Sequence, residues 1–223
     1  RGINSIPSSD ANYTDNYKHI RRTNLLLQNA EAYAKPEDIK QYIGEAYFFR
    51  AYSYFDLLQL YGDVIITKKP LDITDPEMKV KRNDRSEVVD LIIDDLNHAV
   101  ENLPAFKELT TEEEGRISKE GAQAFLSRVA LYEGTWQKSR NGNQNTQRSA
   151  NLLDIAAKAA RTVIDAKYGY TFRLFGTDSE TKILGDSAQK YMFILENEKS
   201  NPAGIKKSSN HEYTVSYTHL RAH

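Results

Sequence analysis

The sequence contains no cysteine. The chain therefore cannot form a disulfide, attack a substrate with a thiolate, hold a zinc ion through sulfur or carry an acyl group on a cysteine. The absence says nothing about the redox compartment, because a chain without thiols looks the same in an oxidising and in a reducing one.

Long apolar runs and an excess of one charge are lacking too. The apolar stretches, such as 25–27 and 191–195, are far shorter than the roughly 18 to 20 residues that a membrane-spanning helix needs. The 30 Lys and Arg balance the 31 Asp and Glu to a formal net charge of -1. Because the apolar runs are short, we expect no membrane span. Because nucleic-acid binders usually carry a strong positive field, we also expect no nucleic-acid partner.

Motifs for metal binding and catalysis are scarce. Zinc proteases need two histidines one helical turn apart, but His19 and His98 each stand alone on a helical segment. Asp94 and Asp95, near Asp90, have a spacing that could bind a hard cation, but no glycine-containing loop follows, so the pattern favours a solvated acidic face. The two carboxylates of a glycoside hydrolase are defined by their separation in space, and the sequence selects no pair. We expect no metal, no cofactor and no enzyme activity.

Helical periodicity dominates what is present. Apolar residues recur at spacings of three and four in five segments, which is typical of amphipathic helices. The predicted helices run from Asp10 to about Ala34, from Pro36 to Tyr61, from Ser86 to Leu103 and from Ser118 to about Tyr132. A fifth follows the loop at 141–145, is marked from Leu152 to Ile164 and fades before Gly169. Short connections and small residues in the last two helices predict an all-α fold of tetratricopeptide-like helical hairpins, followed by an irregular C-terminal segment.

The chain divides into three predicted parts. Residues 10–175 form an incomplete helical region, and 176–214 form an irregular segment of the same domain in which 191–195 could be a short strand. Residues 215–223 have no helical or strand periodicity and resemble translated adapter sequence, so we expect a non-native tail that contributes nothing to the fold. Because the chain begins at Arg1 without Met, we expect a fragment of a longer protein.

Tyrosine is concentrated near the start of the chain. Eight of the fourteen tyrosines lie between Tyr13 and Tyr61, on the first two predicted helices. Their rings could fill a helix–helix interface while the hydroxyls reach its rim. Alternatively, one or two could be exposed platforms for a ligand with apolar faces, such as a sugar ring. The sequence does not distinguish these interpretations for an individual tyrosine.

Two sequence blocks resemble the N-terminal half of the SusD/RagB family. They are Tyr-Lys-His-Ile-Arg-Arg-Thr-Asn at 17–24 and the long block from Glu45 to Val64 that contains Phe-Phe-Arg-Ala-Tyr-Ser-Tyr-Phe-Asp and ends in Tyr-Gly-Asp-Val. Segments 85–104, 115–132 and 156–170 agree with the family in order, so the likeness covers roughly residues 10 to 200. Ile65 departs from the pattern, because the family usually has Pro at this place.

The resemblance implies a function and two site residues. It implies a surface-exposed outer-membrane lipoprotein of Bacteroidetes that binds glycans or other nutrients and covers a SusC-like TonB-dependent transporter, attached to the membrane only through a lipid anchor outside this chain. In the starch-binding member, an aromatic residue and an Asn three residues later help to hold sugar. Tyr13 and Asn16 have that spacing here and are the candidate carbohydrate-binding residues.

Two other classes of function stay open at this point. The helices alone would equally support a helical-repeat scaffold that binds proteins and no sugar. A glycoside hydrolase has only the unselected carboxylates in its favour.

Overall fold

A computed structural model describes residues 9–113, 115–140, 146–193, 195, 197, 199–206 and 210–212. In this part of the chain the structure is helical and contains no strand, which confirms the predicted all-α class. Its α-helices are α1 (Ala11–Glu31), α2 (Lys40–Tyr61), α3 (Arg85–Asn102), α4 (Lys119–Arg140), α5 (Thr146–Ile164) and the short α6 (Ala188–Met192). The predicted tail at 215–223 lies outside the described residues.

The ends of α1 and α2 largely follow the sequence signals, whereas α4 continues to Arg140, beyond the predicted Tyr132, and α5 begins at Thr146, before Leu152, the first residue that marked it in the sequence. Asp10 caps α1 by accepting a hydrogen bond from the backbone N–H of Asn12 at 2.9 Å, and Gly62 ends α2 with a φ of 72° that a residue with a Cβ rarely adopts. The start of α3 was predicted wrongly. Asp84 rather than Ser86 is its N-cap, and its backbone N–H donates to Oε2 of Glu87 at 3.1 Å, as in a capping box.

Contacts divide the chain into two compact units. The first unit comprises 1–103 and 125–156, and it contains α1, α2 and α3 with most of α4 and the first part of α5. The second unit comprises 104–124 and 157–223. The predicted boundaries at residues 175 and 214 stay predictions.

The helices of the first unit form antiparallel hairpins, as predicted. In α4 and α5, Ser127 Oγ donates to the carbonyl of Ala156 at 2.9 Å and Ser149 Oγ donates to the carbonyl of Gly134 at 2.8 Å. The two bonds connect the helices in opposite chain directions. A Cβ at Gly134 would lie 3.0 Å from the side chain of Leu153, so the glycine permits the close approach of these helices.

The core of the first unit collects apolar side chains from α1, α2, α3 and α4, and Leu152 and Ala156 of α5 are buried as well. Fully buried members are Ile20 of α1, Tyr54, Leu57 and Leu58 of α2, Val88, Val89, Ile92 and Leu96 of α3, and Val129 and Ala130 of α4. Helix α2 was predicted to be buried on more than one side, with Phe49 and Leu57 as its test residues. Leu57 is fully buried, but Phe49 is 48% exposed, so the second apolar side of α2 is only half covered.

A buried arginine links three helices. Arg50 of α2 makes two hydrogen bonds to the carboxylate of Asp95 on α3, from Nη2 at 2.6 Å and from Nε at 2.8 Å. Its Nη1 donates to Oδ1 of Asn24 on α1 at 2.8 Å, and Asn24 Nδ2 donates to the carbonyl of Thr67 at 2.9 Å. One guanidinium therefore connects α1, α2 and α3, and Asn24 extends the connection to the loop that follows α2.

The solvated acidic face that the sequence had suggested for α3 holds for Asp90 and Asp94, whose side chains are exposed, and is wrong for Asp95. Asp95 is fully buried against Arg50, and Asp90 pairs with Arg148 at 2.7 Å, while Asp94 alone of the three has no such arginine partner in the described residues. Burial raises the pKa of Asp95, and the hydrogen bonds from Arg50 oppose that rise. The sequence pattern could not show that α2 supplies an arginine opposite Asp95.

The second unit contains its own apolar cluster. Its buried members are Phe175, Leu184, Leu195 and Ile205, with Ala188, Tyr191, Met192 and Ala203 packed against them. The segment 191–195, predicted as a possible short strand, begins inside α6, so that expectation was wrong. Five apolar residues in sequence fit a buried strand and a short amphipathic turn equally well.

We expect Leu57→Ala to lower the free energy of unfolding by roughly 2 to 5 kcal/mol, because it removes a fully buried side chain and leaves a cavity. Phe49→Ala is the matched control on the same helix, and we expect about 1 kcal/mol from it because half of its ring already contacts water. Urea unfolding measures both. Equal losses from the two variants would contradict the described orientation of α2.

We expect Arg50→Met to destabilise the protein by roughly 3 to 5 kcal/mol, because it leaves the carboxyl group of Asp95 buried without its partner. The double variant Arg50→Met/Asp95→Leu removes both charged groups and should lose less than the single variant. Urea unfolding of Arg50→Met, Asp95→Leu and the double variant gives the three losses in unfolding free energy. If the loss in the double variant equals the sum of the two single losses, the two residues are not coupled.

Candidate functional site

Tyr13 and Asn16 lie in the first two turns of α1, and both are partly buried. The ring of Tyr13 lies 4.8 Å from that of Tyr17 and meets the ring of Tyr61 edge to face at 5.2 Å, measured between ring centroids. Asn16 Nδ2 donates to the carbonyl of Asn12 at 2.9 Å. Tyr13 thus joins an aromatic cluster at the start of α1, and Asn16 is held one turn along the same helix.

Tyr61 ties the end of α2 to the start of α1. Its hydroxyl donates to Oδ2 of Asp10, the N-cap of α1. This hydrogen bond raises the pKa of Tyr61 to about 12 and lowers the pKa of Asp10 below its usual value. At neutral pH the phenol therefore keeps its proton and the carboxylate stays charged, which are the forms that the hydrogen bond requires.

Some of the clustered tyrosines are structural. Tyr54 is fully buried, and its hydroxyl accepts from the backbone N–H of Thr67 at 2.8 Å. The hydroxyl of Tyr17 donates to the carbonyl of Ile65 at 2.7 Å, and burial raises the pKa of Tyr17. The helix-interface interpretation is confirmed for Tyr54, whereas Tyr13, Tyr17 and Tyr61 are only partly buried.

A cleft of about 520 Å³ opens beside Tyr61, and we name it the Tyr61–Trp136 cleft. It is lined by Tyr61, Gly62, Asp63, Arg82, Asp84, Arg85, Ser86, Trp136 and Gln137. The lining combines two aromatic rings with carboxylates, guanidinium groups, a hydroxyl and an amide. Such a set can pack against an apolar face of a ligand and exchange hydrogen bonds with its polar rim.

The polar groups of the cleft are already ordered by hydrogen bonds within the chain. The backbone N–H of Arg85 donates to Oδ1 of Asp63 at 2.9 Å, and Arg85 Nε donates to Oε2 of Glu133 at 2.8 Å. Glu133 is fully buried and accepts a second hydrogen bond, from Nε2 of Gln137 at 2.6 Å. Asp63, Arg85 and Gln137 are therefore held in place before any ligand arrives, which lowers the entropic cost of binding.

A second concavity has a different character. The α1–α2 groove, of about 460 Å³, is lined by Arg22, Leu25, Leu26, Asn29, Ala30, Tyr33, Ile39 and Tyr42. Its apolar side chains are between two fifths and half exposed at Leu25, Leu26, Tyr33 and Tyr42. A mostly apolar lining offers few hydrogen bonds to a ligand rich in hydroxyls, so the Tyr61–Trp136 cleft fits such a ligand better.

The described residues include no group of three or more His, Cys, Asp or Glu side chains placed to hold a metal ion. Within the same part of the chain, no helix combines the length and the apolar character that crossing a membrane would require.

Sequence reasoning missed most of the cleft. Asp63 and Arg85 were noted only as parts of segments that resemble the family, and Trp136 was not noted at all. The available signal was the single tryptophan of the chain, three residues after an acidic residue near the end of a helix. What the sequence could not show is that α3 brings Arg85 between Glu133 and Trp136.

Residues 4–131, more than half of the chain, match the sequence model of a SusD-like family described as starch-binding and associating with the outer membrane. The chain belongs to this SusD-like family. The family resemblance seen in the sequence is thereby confirmed. The SusD-like proteins of solved structure that this chain resembles have a tetratricopeptide-like helical fold, as this chain does.

Individual members show how much of a SusD-like protein the chain represents. It is 33% identical over 133 residues to SusD-like protein P38 of Formosa agariphila, which is 58% of this chain and 25% of that protein. A SusD-like protein of Bacteroides fragilis superposes with a TM-score of 0.66 at 25% identity, covering 92% of this chain and 32% of the other. A laminarin-binding SusD-like protein superposes with a TM-score of 0.60 at 26% identity, covering 83% and 37%. The chain thus spans about a quarter to two fifths of the length of these relatives.

Proposed function

We propose that this chain belongs to the glycan-binding component of an outer-membrane uptake system, which captures oligosaccharide at the cell surface and delivers it to a SusC-like TonB-dependent transporter. The family description and the laminarin-binding relative support carbohydrate as the ligand class. Attachment through a lipid anchor outside this chain is part of the same proposal. No catalytic step is proposed.

The observation that carries the proposal is the accessible aromatic surface formed by Tyr13 and Tyr61 beside a cleft lined by polar groups. A pyranose ring has C–H faces that pack on aromatic rings and a rim of hydroxyls that need hydrogen-bond partners. Asn16 can donate to and accept from neighbouring hydroxyls, and Asp63 has acceptor capacity beyond its bond to Arg85.

The charges of the cleft favour a neutral oligosaccharide. The lining carries the carboxylates of Asp63 and Asp84 and the guanidinium groups of Arg82 and Arg85, and Arg85 is already paired with the buried Glu133. The cleft therefore has no excess positive charge to attract an anionic sugar. Binding of an uncharged ligand neutralises no net charge, so the affinity should depend weakly on salt. The hydrogen bonds are worth about 0.5 to 1.5 kcal/mol each, which implies modest affinity.

A helical-repeat scaffold is the alternative, and the α1–α2 groove is the observation in its favour. Half-exposed Leu25, Tyr33 and Tyr42 form an apolar surface suited to a protein contact. Such a surface is also compatible with a glycan-binding protein that docks on a transporter. A sugar-binding measurement distinguishes the two functions, because only the glycan-binding protein binds sugar.

The test uses the complete protein on a microarray of neutral oligosaccharides, followed by calorimetric titration of the tightest ligand. We expect Tyr13→Ala to weaken binding about tenfold through lost ring contact and Asn16→Ala by about two- to tenfold through lost hydrogen bonds. Tyr33→Ala, a half-exposed tyrosine of the α1–α2 groove, is the matched control and should leave the affinity unchanged.

Absence of binding to every oligosaccharide on the array would favour the scaffold. Binding that Tyr13→Ala and Asn16→Ala both leave unchanged would place the glycan site elsewhere and return these two residues to a structural role.

A further inference from the structure

Trp136 is held on one face by a buried guanidinium group. The Cζ atom of Arg85 lies 4.1 Å from the centroid of the indole, which is close for a cation–π contact. The side chain of Arg85 is only 12% exposed, whereas Trp136 keeps exposed area in the Tyr61–Trp136 cleft. One face of the indole is thus covered by protein while part of the ring stays in contact with solvent.

Arg85 is in turn fixed by groups that a ligand cannot reach. Its Nε and Nη2 atoms both lie 2.8 Å from Oε2 of Glu133, and Nη1 donates to the carbonyl of Leu58 at 3.3 Å. Glu133 has no exposed area, and Gln137 donates to its other oxygen. The position of the indole therefore depends on a carboxylate one helical turn earlier that contacts only protein.

The surroundings of the indole suit one sugar unit. Tyr61, Asp63, Arg82 and Asp84 line the same cleft, so a ring that packs on Trp136 would have donors and acceptors at its rim. An indole fixed before binding loses little rotational freedom when the ligand arrives. A flexible tryptophan at the same place would lose side-chain entropy each time a ligand binds, which would weaken the affinity.

We propose that Trp136 is the stacking platform of a second sugar subsite, in the Tyr61–Trp136 cleft, and that Glu133 is a positioning residue that orients this platform through Arg85. The inference rests on the proposed glycan-binding function. It extends the ligand from a single sugar near Tyr13 to an oligosaccharide that also reaches Trp136, with Tyr61 between the two subsites.

The first experiment needs no ligand. The fluorescence of Trp136 is obtained as the difference between the complete protein and its Trp136→Phe variant, and its anisotropy and quenching by acrylamide are measured. We expect Glu133→Gln, which removes the charge that fixes Arg85, to lower the anisotropy and increase the quenching. Glu37→Gln is the control, because Glu37 pairs with Lys40 and neither residue lines the cleft, and it should change neither quantity. Equal signals from wild type and Glu133→Gln would overturn the positioning role.

The second experiment titrates the neutral oligosaccharide that binds most tightly on the microarray. We expect Trp136→Ala to weaken binding about tenfold, Trp136→Phe to recover part of the loss, and Glu133→Gln to weaken binding about threefold. In the Trp136→Ala background Glu133→Gln should have no further effect, because its influence passes through the indole. A merely structural role of Glu133 would instead give the same loss in both backgrounds and would overturn the positioning role.

The outcomes separate this inference from the function on which it rests. Binding that Tyr13→Ala weakens and Trp136→Ala leaves unchanged would overturn the second subsite and retain the glycan-binding function. A wild-type protein that binds no oligosaccharide would overturn both.

Discussion

The ion pair between Arg50 and Asp95 is the contact on which the arrangement of the first three helices depends. It is buried, it makes two short hydrogen bonds, and Arg50 uses its remaining nitrogen to bind Asn24. A buried charge is tolerated only when its partners are correctly placed, so any slip of α2 along α1 or α3 would leave charged groups unpaired. The network therefore fixes the register of three helices in a way that apolar contacts alone would not.

The candidate site depends on that register. With α1 and α2 antiparallel, the start of α1 meets the end of α2, and this brings Tyr13 against Tyr61 and Asp10 against the hydroxyl of Tyr61. A second buried arginine, Arg85 at the start of α3, then connects α3 to Glu133 and Trp136 of α4. Both contacts are an arginine paired with a buried carboxylate. Arg50 and Asp95 fix the register of the helices, and Arg85 and Glu133 fix part of the lining of the cleft.

Sequence reasoning recovered the local features of this fold and missed the contacts between helices. Periodicity and the signals at Pro36 and Gly62 predicted α1 and α2 nearly as they are, because such signals act within a few residues. Asp95 was expected in solvent, because nothing near it in the sequence shows that Arg50 lies opposite. Trp136 was overlooked for the same reason, since its role depends on Arg85, 51 residues earlier. Tyr13 and Asn16 came from family resemblance, and the structure adds that Tyr61 connects Tyr13 to the cleft.

Hydrogen exchange of the complete protein, with and without its tightest neutral oligosaccharide, shows directly whether glycan binds at the Tyr13 surface and the Tyr61–Trp136 cleft. We expect slower exchange of backbone amides at 12–17, which carry Tyr13 and Asn16, and at 61–66, 82–87 and 133–138, which line or support the cleft. Exchange at 25–42 along the α1–α2 groove should be unchanged. The opposite result would be a protein that binds the sugar but shows slower exchange only in the groove or only outside these segments. That result would contradict the proposed binding site.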